Sequence, residues 1–168
     1  PPGEGGIATV RVSGPDAYGI VGKIFAPVRQ GKSVADAKGY TAMLGHYLLH
    51  GAEMDECVAL FFRTPHSYTG EDTAEIQCHG SPAALTAGLE ALFAAGFRQA
   101  RPGEFTQRAF LNGKLDLTEA EAVIDLIDAE TAESARNAAA QLSGALRRPI
   151  ESVYDKLLDV SSRFYAVV

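Results

Sequence analysis

Residues 101–122, RPGEFTQRAFLNGKLDLTEAEA, mark a change in the period of the hydrophobic pattern, and that change limits what the chain can fold into. Upstream, stretches that alternate as on strands are mixed with stretches at helical spacing; downstream, apolar residues recur only every three or four positions, as on helices. Pro102 and Gly103 open a short helical pattern in which Phe105, Ala109 and Phe110 share a face. Asn112-Gly113 stops it as a left-handed C-terminal cap does. Lys114 sits in a tight connector, and Thr118 with Glu121 three residues on reads as a capping box that starts a long helix. The expected organisation is therefore an α+β domain over residues 1–116, followed by helices over 117–168.

The strand signals are local and regular. Ile7 to Val12 alternates, with Ala8, Val10 and Val12 on one face and Ile7, Thr9 and Arg11 on the other. Ser13-Gly14-Pro15-Asp16 starts a helix carrying Ala17, Ile20, Val21 and Ile24. Residues 26–39 read as a polar loop. Tyr40–Leu49 and Cys57–Arg63 are expected to form a hairpin turned by GAEMDE, the second strand apolar on both faces and therefore central. TPHSYTGED is a loop. In the strand Thr73 to His79, Ala74, Ile76 and Cys78 oppose a polar row of Thr73, Glu75, Gln77 and His79. Ser81-Pro82 caps a helix that ends at Gly96, with a short strand expected at about Phe97 to Ala100. These readings add up to a mixed five-stranded sheet with helices.

Beyond Leu117 the pattern is helical. Ala120, Ile124, Ile127, Thr131, Ala135, Ala138 and Leu142 form one stripe, Gly144 and Pro149 end or kink the helix, and Ile150, Val153, Leu157, Ser161, Phe164 and Val168 form a second. Two helices alone leave these stripes exposed, so they are expected to pack on the α+β half, on another copy, or on further sequence. The charge balance is −2 over residues 1–116 (10 basic, 12 acidic) and −4 over 117–168 (5 basic, 9 acidic). Six acids between Glu119 and Glu133 precede Arg136, a sign that repels phosphates and argues against a nucleic-acid grip in that segment. No apolar run approaches the roughly 18 residues of a membrane span, and no basic leader is visible, so a cytoplasmic location is expected. The start at Pro1-Pro2 without methionine points to a trimmed fragment. The 2 cysteines, Cys57 and Cys78, lie in strands and read as reduced, buried thiols.

Glu75 is the most informative acid. On a strand, it offers two parallel acceptors, which suit a ligand with two adjacent N–H donors, such as a pterin ring. It equally suits a solvated outer face or a cross-strand partner for Arg11. Arg11 and Lys114 fit surface charges, or contacts to the carboxylates and polar edges of such a ligand. APVRQGKS, residues 26–33, resembles a relaxed phosphate-binding loop, but a helix is expected before it and no helix after it, so it is rejected. The histidines and cysteines lack paired ligand spacing, so no metal site is expected; His79 remains a candidate pocket residue. No nucleophile has a recognisable activating base, and no catalytic residue is assigned.

Three ordered motifs, PPGEGGIATVRVSG, SYTGED with the following CHG, and RPGEFTQRAFLNGKLDLTEAEA, resemble the amino-terminal region of the tRNA uridine-modifying GTPases of the MnmE (TrmE) family. The resemblance implies a folate-binding and dimerisation domain, similar in fold to that of glycine-cleavage aminomethyltransferases. It implies folate contacts at Arg11, Glu75 and Lys114, with a further lysine near the family's carboxyl terminus. The implied ligand is a 5-formyl- or 5,10-methylene-tetrahydrofolate. GTP, Mg and K belong to a GTPase domain outside this sequence, as does a carboxyl-terminal cysteine motif; a first strand before PPG is also missing. The implied partners are a second copy, the FAD-dependent protein MnmG, and tRNA. The implied product is 5-carboxymethylaminomethyluridine at the wobble position. Glu4 and His66 depart from the family pattern, which usually has arginine and asparagine there. A stand-alone aminomethyltransferase-like folate enzyme and a purely structural dimerisation module are the competing expectations.

Overall fold

The computed structural model describes residues 5–166. Pro1, Pro2 and Glu4 of the opening motif and Val168 of the second stripe lie outside the described residues. The chain divides into two compact units, Pro1–Asn112 and Gly113–Val168.

The first unit is an α+β fold. Its elements are β1 (Ile7–Ser13), α1 (Ala17–Ile24), β2 (Phe25–Pro27), β3 (Thr41–Leu49), β4 (Ala52–Phe62), β5 (Thr73–His79), α2 (Pro82–Ala95) and α3 (Glu104–Leu111). The sheet order is β1-β5-β4-β3-β2, with β4 central as its two apolar faces require. Every pairing is antiparallel, which corrects the expected mixed sheet. The physical reason is connectivity: a parallel pair needs a crossover between neighbouring strands, whereas α1 joins β1 and β2 at opposite edges of the sheet. Val21, Phe25, Phe61, Ile76 and Leu92 are among the largest buried side chains, each contributing about 1.5–3 kcal/mol by leaving water. Gly45 on β3 is required there, because a Cβ would run into the Phe25 ring and the Ala26 carbonyl.

Four local expectations are corrected in this unit. Residues 25–27 form β2, where a loop was expected from position 26. The hairpin turns on His50-Gly51, both at positive φ (52° and 82°), as a two-residue turn demands. GAEMDE is therefore mostly strand. Residues 97–100 form no strand: Phe97 N–H donates to the Leu92 carbonyl and Gly96 N–H to Phe93, so this backbone closes the end of α2. Phe110 is 41% exposed and turned away from buried Ala109, five positions from Phe105 instead of three or four. The Ser81 cap and the Gly96 stop of α2 are as expected, with Ser81 Oγ accepting from Ala84 N–H.

The second unit contains α4 (Leu117–Ile127), α5 (Ala132–Leu142) and α6 (Arg147–Ala166). The capping box of α4 is Asp116 with Glu119, where Thr118 with Glu121 was expected. The Asp116 carboxylate accepts from Glu119 N–H at 2.8 Å and from the Thr118 hydroxyl at 2.8 Å, so the stronger acceptor takes the cap. The single long helix is also corrected: α4 stops at Ile127 with Asp128 as its C-cap, and Thr131 with Ser134 forms a second capping box that starts α5. Pro149 is the third residue of α6, where its missing N–H would have had no partner inside the helix. No helix of the described residues is long and apolar enough to cross a membrane.

Candidate functional site

Arg11 of the first motif, the 67–72 loop of the second and helix α3 of the third, far apart in the sequence, meet at one end of the sheet. Arg11 on β1 is the register partner of Glu75 on β5. Strand alternation puts both side chains on the face opposite α1 and α2, with Ser13 and Thr73 further along that face. There the 64–72 loop covers the sheet: Ser13 Oγ lies 2.6 Å from Thr69 Oγ1 and donates to Glu71 Oε2 at 3.0 Å. Thr69 and Thr73 are fully buried, their hydroxyls 3.3 Å apart.

Helix α3 holds this loop in place. Arg108 donates to both carboxylate oxygens of Glu71, at 3.1 and 2.8 Å, and to Glu104 at 3.0 and 3.2 Å. Glu104, 5% exposed, also accepts from Arg98 and from the Arg101 backbone N–H at 2.9 Å. These hydrogen bonds, first the one from Arg98, hold the Glu104 carboxyl well below the usual carboxylate range and raise the Arg98 and Arg108 guanidiniums. Asn112 Nδ2 donates to the Thr69 carbonyl at 2.8 Å, so the helix end and the loop are bonded as well. The Glu104 network was invisible in the sequence reading; the only signal was an acid in the first turn of a short helix with an arginine four positions later.

Arg11 and Glu75 sit where the covered and open parts of this face meet. Arg11 Nε donates to Glu75 Oε1 at 2.7 Å. The two Nη groups of Arg11 and Oε2 of Glu75 have no hydrogen-bond partner among the described residues. The structure thus commits one of the two parallel acceptor oxygens of Glu75. It realises the cross-strand pairing while leaving a donor edge and an acceptor atom free. A cleft of about 300 Å³ runs along β1, lined by Arg11, Phe105 and Arg108 and by apolar Leu89, Leu92 and Phe97. Glu75 does not line it. Lys114 is exposed in the connector between α3 and α4 and belongs to the second unit.

Other candidates have structural partners. His79 Nδ1 is 2.6 Å from Asp55 Oδ1, and its backbone N–H donates to Asp55 Oδ2 at 2.8 Å. Burial raises the Asp55 pKa, but these His79 contacts outweigh it and the net direction is down. Burial pushes the Cys57 thiol up to about 12 and raises Cys78 as well, which leaves little thiolate at neutral pH. The APVRQGKS segment begins inside β2, with Ala26 and Pro27 in the strand, and no helix follows it, so the converging N–H groups of a phosphate-binding loop are lacking.

The fold and the motif cluster define an amino-terminal unit of the TrmE type followed by helices. Residues 1–114 match the family described as GTP-binding protein TrmE N-terminus, and residues 117–168 match the MnmE helical domain. The chain belongs to the MnmE (TrmE) family. It is 48% identical over 162 residues to the tRNA modification GTPase MnmE of Parabacteroides distasonis, covering 96% of this chain and 35% of that protein. It is 47% identical over 159 residues to that of Bacteroides fragilis (94% and 34%) and 46% over 165 residues to that of Symbiobacterium thermophilum (98% and 36%). The chain therefore spans about a third of the length of the curated relatives it matches.

Proposed function

We propose that the α+β unit binds a reduced folate carrying a one-carbon group, in a homodimer, as part of a tRNA modification GTPase. The observation that carries this reading is the half-committed Arg11–Glu75 pair. A structural ion pair would gain most by using both carboxylate oxygens; among the described residues this one leaves Oε2 and the Nη groups without a hydrogen bond, and Arg11 also lines a cleft. Those groups fit a ligand that has ring N–H donors next to carbonyl or carboxylate acceptors, as a folate has. Glu75 Oε2 is the acceptor for the ring donors, Arg11 takes a polar or anionic group, and Lys114 adds a cation. When bound, the folate supplies the carbon unit. The residues described here bind and orient it, and none of them is assigned a catalytic role.

In the whole protein, GTP hydrolysis in a GTPase domain that uses Mg and K drives conformational change. The assembly with FAD-dependent MnmG places the carbon on C5 of the wobble uridine, giving 5-carboxymethylaminomethyluridine, in the cytoplasm. A second reading, a dimerisation module without ligand, draws on the same ion pair, since Oε1 is already satisfied.

Calorimetric titration of this chain with 5-formyltetrahydrofolate, alongside Glu75→Ala, separates the two. The folate reading expects wild-type binding and a loss of about tenfold or more in Glu75→Ala, the worth of a charge-assisted hydrogen bond. Unchanged affinity in Glu75→Ala would remove Glu75 from the site. A folded dimer with no folate response would leave the assembly reading.

A further inference from the structure

An arginine held by one hydrogen bond can still swing its remaining donors through a wide arc. Arg11 is held by more than that. Its guanidinium carbon lies 5.6 Å from the centroid of the Tyr68 ring and 5.8 Å from that of Phe105, both within the range of cation–π attraction. The rings come from different motifs, SYTGED and GEFTQ. Each is carried by a fixed element: Tyr68 is on the loop that Arg108 and Asn112 tie to α3, its hydroxyl also lying 3.0 Å from Thr106 Oγ1, and Phe105 follows Glu104, whose carboxylate is fixed by Arg98 and Arg108. Tyr68 remains 38% exposed and Phe105 only half-buried, so neither ring is primarily core filling.

From this geometry we infer that Tyr68 and Phe105 are positioning residues that clamp the Arg11 guanidinium. With Nε tied to Glu75 and the rings beside it, the Nη groups are presented in one orientation, which suits bidentate contact with a carboxylate or a ring carbonyl. The identity of that ligand rests on the folate reading; the clamp is a property of the free protein. It also gives the Glu71–Arg108–Glu104 chain a use beyond stability, because that chain fixes the elements that carry the two rings.

The test uses the 168-residue chain with Tyr68→Phe, Tyr68→Leu and Phe105→Leu, all checked for native melting. Leucine keeps an apolar side chain at either position, and Tyr68→Phe keeps the ring while removing the hydroxyl. Titrated with 5-formyltetrahydrofolate, Tyr68→Phe is expected to stay within about twofold of wild type, and each leucine variant to weaken binding by roughly 3- to 30-fold. In an Arg11→Ala background the leucine substitutions are expected to add nothing, because they act through Arg11. Fully additive losses would overturn the proposal. The Arg11 Nε–Hε NMR signal decides the clamp without any ligand. It should be ordered and ring-shifted in wild type and Tyr68→Phe, and mobile in the Tyr68→Leu/Phe105→Leu double variant. Unchanged order in the double variant would overturn the clamp. A wild-type protein that ignores folate would instead count against the folate reading alone.

Discussion

A carboxylate that is nearly buried and faces several arginine donors has a strong preference for its charged form, and Glu104 meets that description. Its folded-state pKa lies below the ordinary range, so the folded protein holds this proton less tightly than the unfolded chain. The stability it contributes is therefore fully present above the ordinary carboxylate pKa and is lost as pH falls through that range toward the folded value. Glu104→Gln should lower the urea midpoint at pH 7, because Arg98 and Arg108 lose their counter-charge. Below about pH 4 it should show a shallower further decline than wild type. Midpoints measured across that range check both effects; parallel curves would mean that Glu104 is not the acid-sensitive group. At this scale the sequence was informative only in part. Arg11 and Glu75 were legible because strand alternation predicts which side chains share a face. The Glu104 network was not, because its partners Arg98, Arg101 and Arg108 are local but the burial that makes the charge matter is set by tertiary packing.

The elements follow local rules wherever the signal is local. β1, β5, α1 and α2 stand where alternation, Ser81 and Gly96 place them. The differences arise where two local patterns compete. Asp116/Glu119 and Thr118/Glu121 both satisfy the capping pattern, and the carboxylate wins as the stronger acceptor. Thr131 breaks a stripe that remains periodic through the break, so hydrophobic spacing alone cannot reveal it. The short strand β2 owes its place to pairing with β3 across the sequence, a tertiary effect without a local signature. The cap assignment is testable. Asp116→Ala should destabilise the second unit by about 1 kcal/mol, and Thr118→Ala, which removes only a hydroxyl donating to Asp116, by clearly less. Helix unfolding followed by circular dichroism would show the order; equal losses would return Thr118 to the cap.

For the whole molecule, the proposed dimer needs a surface that can hold two copies together. Exposed apolar side chains lie on several elements, Ile124 and Ile127 of α4 among them, and two surfaces carry them in rows. On the sheet face opposite α1 and α2, Ile7 is 73% and Leu44 49% exposed. On α6 no residue is buried, and Val153, Leu157 and Phe164 run along the helix in the spacing read from the sequence. Apolar area by itself is non-directional and does not choose between them. The proposed dimer belongs to the α+β unit, so it should be indifferent to α6. Leu157→Glu with Phe164→Glu removes the apolar character of α6 while adding charge to a surface that has no core to lose. Sedimentation velocity on that variant is expected to give the same dimeric mass as wild type, with less binding of an apolar dye. A monomer from the same variant would move self-association onto α6 and withdraw dimerisation from the α+β unit, whatever the outcome of the folate titration.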